Sequence, residues 1–141
     1  MIRPKDKFEE SFPRTEAFTD CRGAARSFAI ELREAMAGFF LTAREIGEDK
    51  GGYEFEMYSA SSPYHALGDL RGKIRRELST RYLTVEHGRR AFSHDAMKGR
   101  IGYDGIVVDG EHIPFDELFT MLTTYEGFEL SLRIVEPSQE K

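Results

Sequence analysis

The chain has few of the residues that build disulfide-linked or metal-based scaffolds. Its only cysteine is Cys21, so an intrachain disulfide and a Cys-x-x-Cys zinc site are both excluded. None of the histidines lie four positions apart, and no His-Glu-x-x-His motif exists, so a zinc site on a helix is unsupported. We therefore expect neither a metal nor a cofactor.

Long apolar runs are also missing. No stretch approaches the roughly 18 consecutive apolar residues of a membrane-spanning helix. The amino-terminal sequence MIRPKDKFEE lacks the apolar core of a secretory signal. Together with the single cysteine, which agrees with a reducing compartment, these absences lead us to expect a cytoplasmic protein without a membrane partner.

The composition is that of a folded domain. With 141 residues, 40% of them hydrophobic and 32% charged, the chain is large enough to bury a core of its own. Residues 1–16 and 137–141 are charged and aperiodic, and we expect them to be flexible. The sequence thus predicts a single domain over residues 1–141.

The carboxy-terminal third has the clearest local pattern. Asp109-Gly110 separates the apolar run Ile106–Val108 from Glu111–Ile113, and this dipeptide favours the type I′ turn of a β-hairpin. An amphipathic helix is predicted over Phe115–Tyr125, after Pro114. Beyond it, residues 128–134 alternate apolar and polar side chains, which predicts a half-buried closing strand.

A helical spacing dominates the amino-terminal half. Between Thr19 and Ile46, apolar residues recur at intervals of about 3.5 residues, which predicts one long helix with a wide apolar stripe. One interpretation places that stripe entirely against the core. The other lets part of it pair with a second copy of the chain, through a self-association face formed by Phe28, Leu32, Met36, Phe39 and Phe40.

The middle of the chain completes the predicted fold. A strand is expected near Tyr53–Tyr58 and a second helix from Pro63 to about Tyr82, with Ser62 as its amino-terminal cap. Leu83–Val85 and Lys98–Tyr103 are weaker strand candidates. The fold class is therefore α+β: a mostly antiparallel sheet of four to six strands covered by two or three helices, with the carboxy-terminal hairpin, helix and strand as a unit.

Charge is spread unevenly along the chain. The net charge is −5 overall, but residues 71–100 carry +6 while residues 101–141 carry −7. Basic stripes can hold nucleic-acid phosphates, and the candidate contacts are Arg71, Arg75, Arg76, Arg89 and Arg90. The alternative interpretations are a solvated face that balances the acidic carboxy-terminal third, and a surface for an acidic protein partner.

Catalytic signals are sparse. Ser93, His94 and Asp95 contain the residue types of a hydrolase triad, but sequence neighbours cannot converge on one another as a triad requires. His112 lies in the predicted hairpin. An enzyme of unknown class, using His94 and Asp95 or His112, is only the second alternative, because no convergent set of catalytic groups is visible.

The sequence names no family. We expect a small regulatory or protein-interaction domain without catalytic activity, whose partner is another protein or a second copy that binds through the long first helix. Nucleic-acid binding through residues 71–100 is the first alternative.

Overall fold

The computed structural model describes residues 13–48 and 51–137. It divides the chain into two compact units. Among the described residues, unit 1 contains residues 13–46, Glu54–Ser79 and residues 135–137, and unit 2 contains residues 47–48, 51–53 and Thr80–Ile134. The single-domain hypothesis stays a prediction, and each unit is described by itself.

Unit 1 is a four-stranded antiparallel sheet with one helix. The strands follow one another in the order β1 to β4, with bounds β1 Thr15–Thr19, β2 Ala25–Ala35, β3 Gly38–Glu45 and β4 Glu54–Ser59. The helix α1 spans Pro63–Leu78 and packs against β1, β3 and β4.

Alternation of side chains explains why residues 25–45 form strands. In β2, Phe28 and Ile30 are buried while their neighbours are exposed. Leu41 and Ala43 are buried in the same way in β3. Because side chains on a strand point alternately to opposite faces, these residues line one face of the sheet. The ring of Phe28 lies at the centre of this face. Its centroid is 5.9 Å from the ring centroid of Phe18 and 5.9 Å from that of Phe55.

The prediction of one long helix over Thr19–Ile46 is wrong. This stretch instead forms part of β1, all of β2 and all of β3, with a two-residue turn at Met36-Ala37. Gly38 permits the close approach of β3 to β4, because a Cβ at this position would lie 2.5 Å from the carbonyl oxygen of Ser59. The helical self-association face therefore does not exist as such.

The helix α1 begins where the sequence predicts. The Ser62 hydroxyl accepts hydrogen bonds from the backbone N–H groups of Tyr64 and His65, at 3.1 and 3.4 Å, which satisfies donors that a helix start leaves unpaired. The helix ends at Leu78, four residues before the predicted end. There the Ser79 hydroxyl donates to the carbonyl oxygen of Arg76 at 2.7 Å. The buried face of α1 carries Ala66, Leu67, Leu70, Ile74 and Leu78.

Unit 2 contains a hairpin, a small sheet and a helix. Strands β5 Leu83–Glu86 and β6 Arg89–Phe92 form the hairpin, and β7 Arg100–Ile101, β8 Gly105–Val108 and β9 Glu111–Pro114 form the sheet, in that order. The helix α2 spans Phe115–Leu122 and continues as a 3-10 turn over Thr123–Tyr125. All strand pairs are antiparallel.

The carboxy-terminal hairpin and helix are confirmed. Asp109 and Gly110 both have positive φ, 56° and 75°, as a type I′ turn requires. Asp116 and Glu117 lie in the first turn of α2, where the helix dipole favours negative charge. The core of unit 2 consists of Leu83, Ile106, Val108, Ile113 and Met121, with Tyr82, Phe92 and Leu118 packed against it.

The predicted closing strand is wrong. Residues 128–134 belong to no strand, and within residues 13–48 and 51–137 they have no ladder partner. The chain is α+β with antiparallel sheets and two helices in the described part. Its strands form three sheets of four, two and three strands, not one sheet. The expected flexibility of residues 1–16 and 137–141 falls mostly outside the described residues, although Thr15 and Glu16 belong to β1.

Candidate functional site

Asp109 is the one buried charged residue found in the described part of the chain. Its carboxylate accepts the backbone N–H of Tyr82 at 2.9 Å and that of Leu83 at 2.8 Å. The Arg81 guanidinium lies 3.7 Å away. A buried carboxylate needs such donors, since an unpaired buried charge is costly. Asp109 therefore joins the β8–β9 turn to the start of β5, which is a structural role.

A series of ion pairs, here called the ion-pair chain, extends from Asp109 and Arg81. Arg81 also contacts Glu111 at 2.9 Å, and Arg90 contacts Glu111 at 3.4 Å and Glu117 at 2.6 Å. The hydrogen bond from Arg90 holds the pKa of Glu117 below its ordinary value, and that bond to Glu117 raises the pKa of Arg90. These contacts connect Arg81, which precedes β5, with β6, β9 and α2, so they fix α2 on the hairpins.

His112 forms the only histidine–carboxylate pair seen in the described ranges. Its Nε2 lies 2.9 Å from Oδ1 of Asp104, and its side chain is 17% exposed. The ring contributes to the lowered pKa of Glu117 through its charge. His112 therefore has a structural role in unit 2, as Arg90 has.

The helix α2 has a second apolar face that points outward. Met121 is buried and Leu118 packs against the core, while Phe115, Phe119 and Leu122 are exposed, Phe119 by 67%. The sequence places Phe115, Leu118, Phe119 and Leu122 on a single buried face. Only the helix itself is confirmed, because the hairpins cover the side that carries Met121 and Leu118.

A row of exposed apolar residues lies beyond α2. Residues 128–134, here called the C-terminal apolar segment, follow the 3-10 turn without a bend or turn of their own. The four apolar side chains at alternate positions are each between 71% and 77% exposed: Phe128, Leu130, Leu132 and Ile134. The start of the segment is fixed, because the Phe128 N–H donates to the Tyr125 carbonyl at 2.8 Å and the two rings lie 5.6 Å apart.

Polar residues occupy the other positions of this segment. Glu129, Ser131 and Arg133 alternate with the apolar side chains and are also exposed. The pattern is therefore that of an amphipathic strand, but nothing in the described part of the chain covers its apolar side. Exposed contiguous apolar surface of this kind marks interaction sites.

The candidate phosphate-binding arginines fall in both units. Arg71, Arg75 and Arg76 lie on α1, and Arg89 and Arg90 lie on β6. Arg71 pairs with Glu16 at 2.9 Å, and Arg90 with Glu111 and Glu117 as above. The Arg75 guanidinium lies 5.6 Å from the centroid of the Phe18 ring. These contacts favour the charge-balancing interpretation, and nucleic-acid binding stays a prediction.

The residues proposed as a helical self-association face are separated by the sheet. Phe28 is fully buried in the core of unit 1. Leu32, Phe39 and Phe40 are half-buried on β2 and β3, and Met36 is fully exposed at the turn between these strands. Side chains that a helix would place on one stripe thus lie on both faces of a hairpin, and self-association through them stays a prediction.

The candidate catalytic residues are not brought into one cleft. His94 and Asp95 are exposed, and the His94 ring packs edge-on against Tyr82, 6.0 Å between centroids. His112 pairs with Asp104 instead. Over residues 13–48 and 51–137, no cluster of three or more histidine, cysteine or carboxylate side chains is arranged to hold a metal ion.

Two family models match the chain. Residues 10–79 match a family described as a domain of unknown function (DUF7686), and residues 82–139 match a second domain of unknown function (DUF7713). The two matches meet between residues 79 and 82, close to the point where the chain passes from Ser79 of unit 1 to Thr80 of unit 2. No curated protein and no solved structure matches the chain.

Sequence reasoning missed the exposure of the C-terminal apolar segment. Alternation at period two shows that one face of a strand is meant to be covered, but it does not show which chain covers it.

The described helices also include none that is long and apolar enough to cross a membrane.

Proposed function

We propose that the protein is a small interaction domain without catalytic activity, and that unit 2 carries its binding surface. The surface consists of the outward face of α2 and the C-terminal apolar segment. The cytoplasmic localisation expected from the sequence is part of this proposal, supported by the single cysteine.

One observation carries the proposal. Four large apolar side chains at alternate positions, Phe128 to Ile134, are each more than 70% exposed. Burying one such side chain is worth roughly 1.5–3 kcal/mol, so leaving four of them in water is costly unless another surface covers them. Scattered single exposed apolar residues are ordinary, but a regular row is not scattered.

The ion-pair chain supports the same proposal. Arg90 and Glu117 join α2 to β6, and Arg81 and Glu111 join the hairpins. Because these contacts hold α2 on one side, its outward face with Phe119 keeps a defined orientation. A rigid surface loses less conformational entropy when it binds a partner.

Site-specific photo-crosslinking tests the proposal. A benzophenone amino acid replaces Leu132 in one variant and Phe119 in another, and the irradiated protein is isolated from its native cells. Val85, which is 64% exposed on β5, is the matched control outside the surface. We expect crosslinked products at Leu132 and Phe119 and none at Val85.

Mass spectrometry of each product identifies the crosslinked protein. A product that contains peptides of this chain, or of one other protein, supports an interaction domain. Products at Leu132 and Phe119 that are no more abundant than at Val85 contradict it.

A further inference from the structure

The C-terminal apolar segment has the backbone properties of a free sheet edge. Across residues 13–48 and 51–137, its N–H and C=O groups take part in no strand pairing. Unpaired edges of this kind are templates for strand addition by another chain. The identity of that chain can be deduced from the side chains of the segment.

We propose that the segment pairs antiparallel with the same segment of a second copy of this chain, with Ser131 on the two-fold axis. This inference rests on the proposed function and names the partner. Closed two-fold dimers are the commonest soluble assemblies, and their interfaces are self-complementary. In such a dimer, each residue of the segment lies opposite a residue of the same segment in the second copy. The side chains that are brought together in this way must therefore attract one another.

The register centred on Ser131 meets this condition. Glu129 lies opposite the partner's Arg133, and by symmetry Arg133 lies opposite the partner's Glu129. Opposite charges directly across an antiparallel pair stabilise it. Each chain thus contributes one member to both ion pairs.

The apolar residues also match in this register. Phe128 lies opposite the partner's Ile134, and Leu130 lies opposite the partner's Leu132. All of these side chains fall on one face, because directly opposite residues in an antiparallel pair point to the same side. The dimer therefore collects a continuous apolar row on one face and the two charge pairs on the other.

Other registers lose this match. A shift of one residue sets apolar side chains opposite charged ones. A shift of two residues sets Glu129 opposite Ser131 or Val135, so both ion pairs disappear. A parallel in-register pair would place Glu129 beside its own copy, which is repulsive.

The segment has a defined beginning. Gly127 has φ of 90°, a left-handed conformation that does not continue a strand. Glu126 therefore stays outside the ladder. Two short strands alone are marginally stable in water, so we expect an equilibrium that depends on protein concentration over the range from about 1 μM to about 1 mM.

Charge exchange tests the register. Glu129→Arg and Arg133→Glu each turn two attractive pairs into two repulsive ones, and the dissociation constant should rise roughly tenfold or more. Mixing the two variants restores both attractive pairs in the heterodimer, and the double variant Glu129→Arg/Arg133→Glu restores them in a homodimer. Sedimentation velocity over a concentration series measures all five samples, wild type included.

The matched controls make the same kinds of charge reversal at positions outside the segment. Asp69→Arg and Arg22→Glu alter exposed residues of unit 1 and should leave the dissociation constant within about twofold of wild type. Recovery in the mixture also shows that the single variants are folded.

Each result is decisive. Loss of the dimer in both single variants, together with recovery of the dimer when they are mixed, supports the proposed register. A wild-type dimer that both single variants retain overturns the register but leaves the interaction domain in place. A wild-type monomer at every concentration overturns self-pairing. In that case crosslinks from Leu132 to another protein would still support the proposed function, and their absence would contradict that as well.

Discussion

The carboxylate of Asp109 lies 2.8 Å from the backbone nitrogen of Leu83. The two residues are 26 positions apart, and the contact attaches a hairpin turn to the first residue of β5. The Asp109 side chain is only 2% exposed. Unit 2 has a small core, so a buried charge-assisted hydrogen bond at this junction decides how its two hairpins are joined.

Replacing Asp109 tests this junction. Asp109→Ala leaves the N–H groups of Tyr82 and Leu83 without acceptors and places alanine at φ 56°, so the free energy of unfolding should fall by about 2–4 kcal/mol. Asp109→Asn keeps one acceptor oxygen and tolerates this φ, so it should cost about half as much. Urea unfolding measures both.

Asp95→Ala is the matched control, because Asp95 is exposed and should change the free energy of unfolding by less than about 0.5 kcal/mol. The account of Asp109 is wrong if Asp109→Ala is as stable as this control.

The Arg90–Glu117 pair predicts a dependence of stability on pH. Arg90 lowers the pKa of Glu117 in the folded protein, so folding favours the ionised carboxylate. The stabilisation is complete above the unfolded pKa, about 4.3, and is lost as the pH falls through the lower folded pKa. Both side chains are partly exposed, so the effect should be about 1 kcal/mol or less.

Unfolding free energies between neutral and acidic pH measure the effect. Glu117→Gln should lose less stability on acidification than wild type. The remaining slope should reflect other carboxylates such as Asp20, whose pKa the hydrogen bond from Arg26 lowers. Glu34→Gln, at an exposed position of β2, is the control; equal slopes in the two variants would refute the role of this pair.

Two glycines should respond in opposite directions to alanine. A Cβ at Gly105 would overlap the carbonyl oxygen of Ile113 and lie 2.9 Å from Cα of Pro114, whereas a Cβ at Gly68 meets nothing within 4 Å. Gly105→Ala should therefore destabilise the protein by about 1–3 kcal/mol. Gly68→Ala lies within α1 and should stabilise it by up to about 1 kcal/mol. Thermal unfolding distinguishes the two, and a change of the same sign in both would be inconsistent with the packing described.

Local signals in the sequence predicted part of this fold. Asp109-Gly110 specified its turn through positive φ at both positions, and Ser62-Pro63 specified the start of α1 through a side-chain cap. These features depend only on residues next to one another. For the same reason the strand candidate Leu83–Val85 was also predicted, and it lies within β5.

The failure over residues 25–45 has a physical cause. Phe28 and Leu32 are four apart, which fits one face of a helix, but Phe28, Ile30 and Leu32 also alternate as on a strand. The turn at Met36-Ala37 carries none of the usual hairpin residues at its two central positions. Pairing with β4 decides the outcome, and that pairing is a tertiary contact.

The candidate site was only partly visible in the sequence. The ion pairs of Arg71 with Glu16 and of Arg90 with Glu117 join residues 55 and 27 positions apart, so the basic segment alone could not show which of its charges are neutralised. The C-terminal apolar segment was recognised as amphipathic, but its exposure depends on which elements cover it.

Disulfide trapping at Ser131 tests the central claim most directly. In a Cys21→Ser background, Ser131→Cys places two thiols opposite each other at the two-fold axis, where Cα atoms about 4.5–5.5 Å apart suit a disulfide. Glu129→Cys is the control, because its two copies would lie about 14 Å apart. We predict a disulfide-linked dimer for Ser131→Cys and none for Glu129→Cys under mild oxidation. Equal trapping at both positions, or none at Ser131, would contradict the self-pairing of this segment.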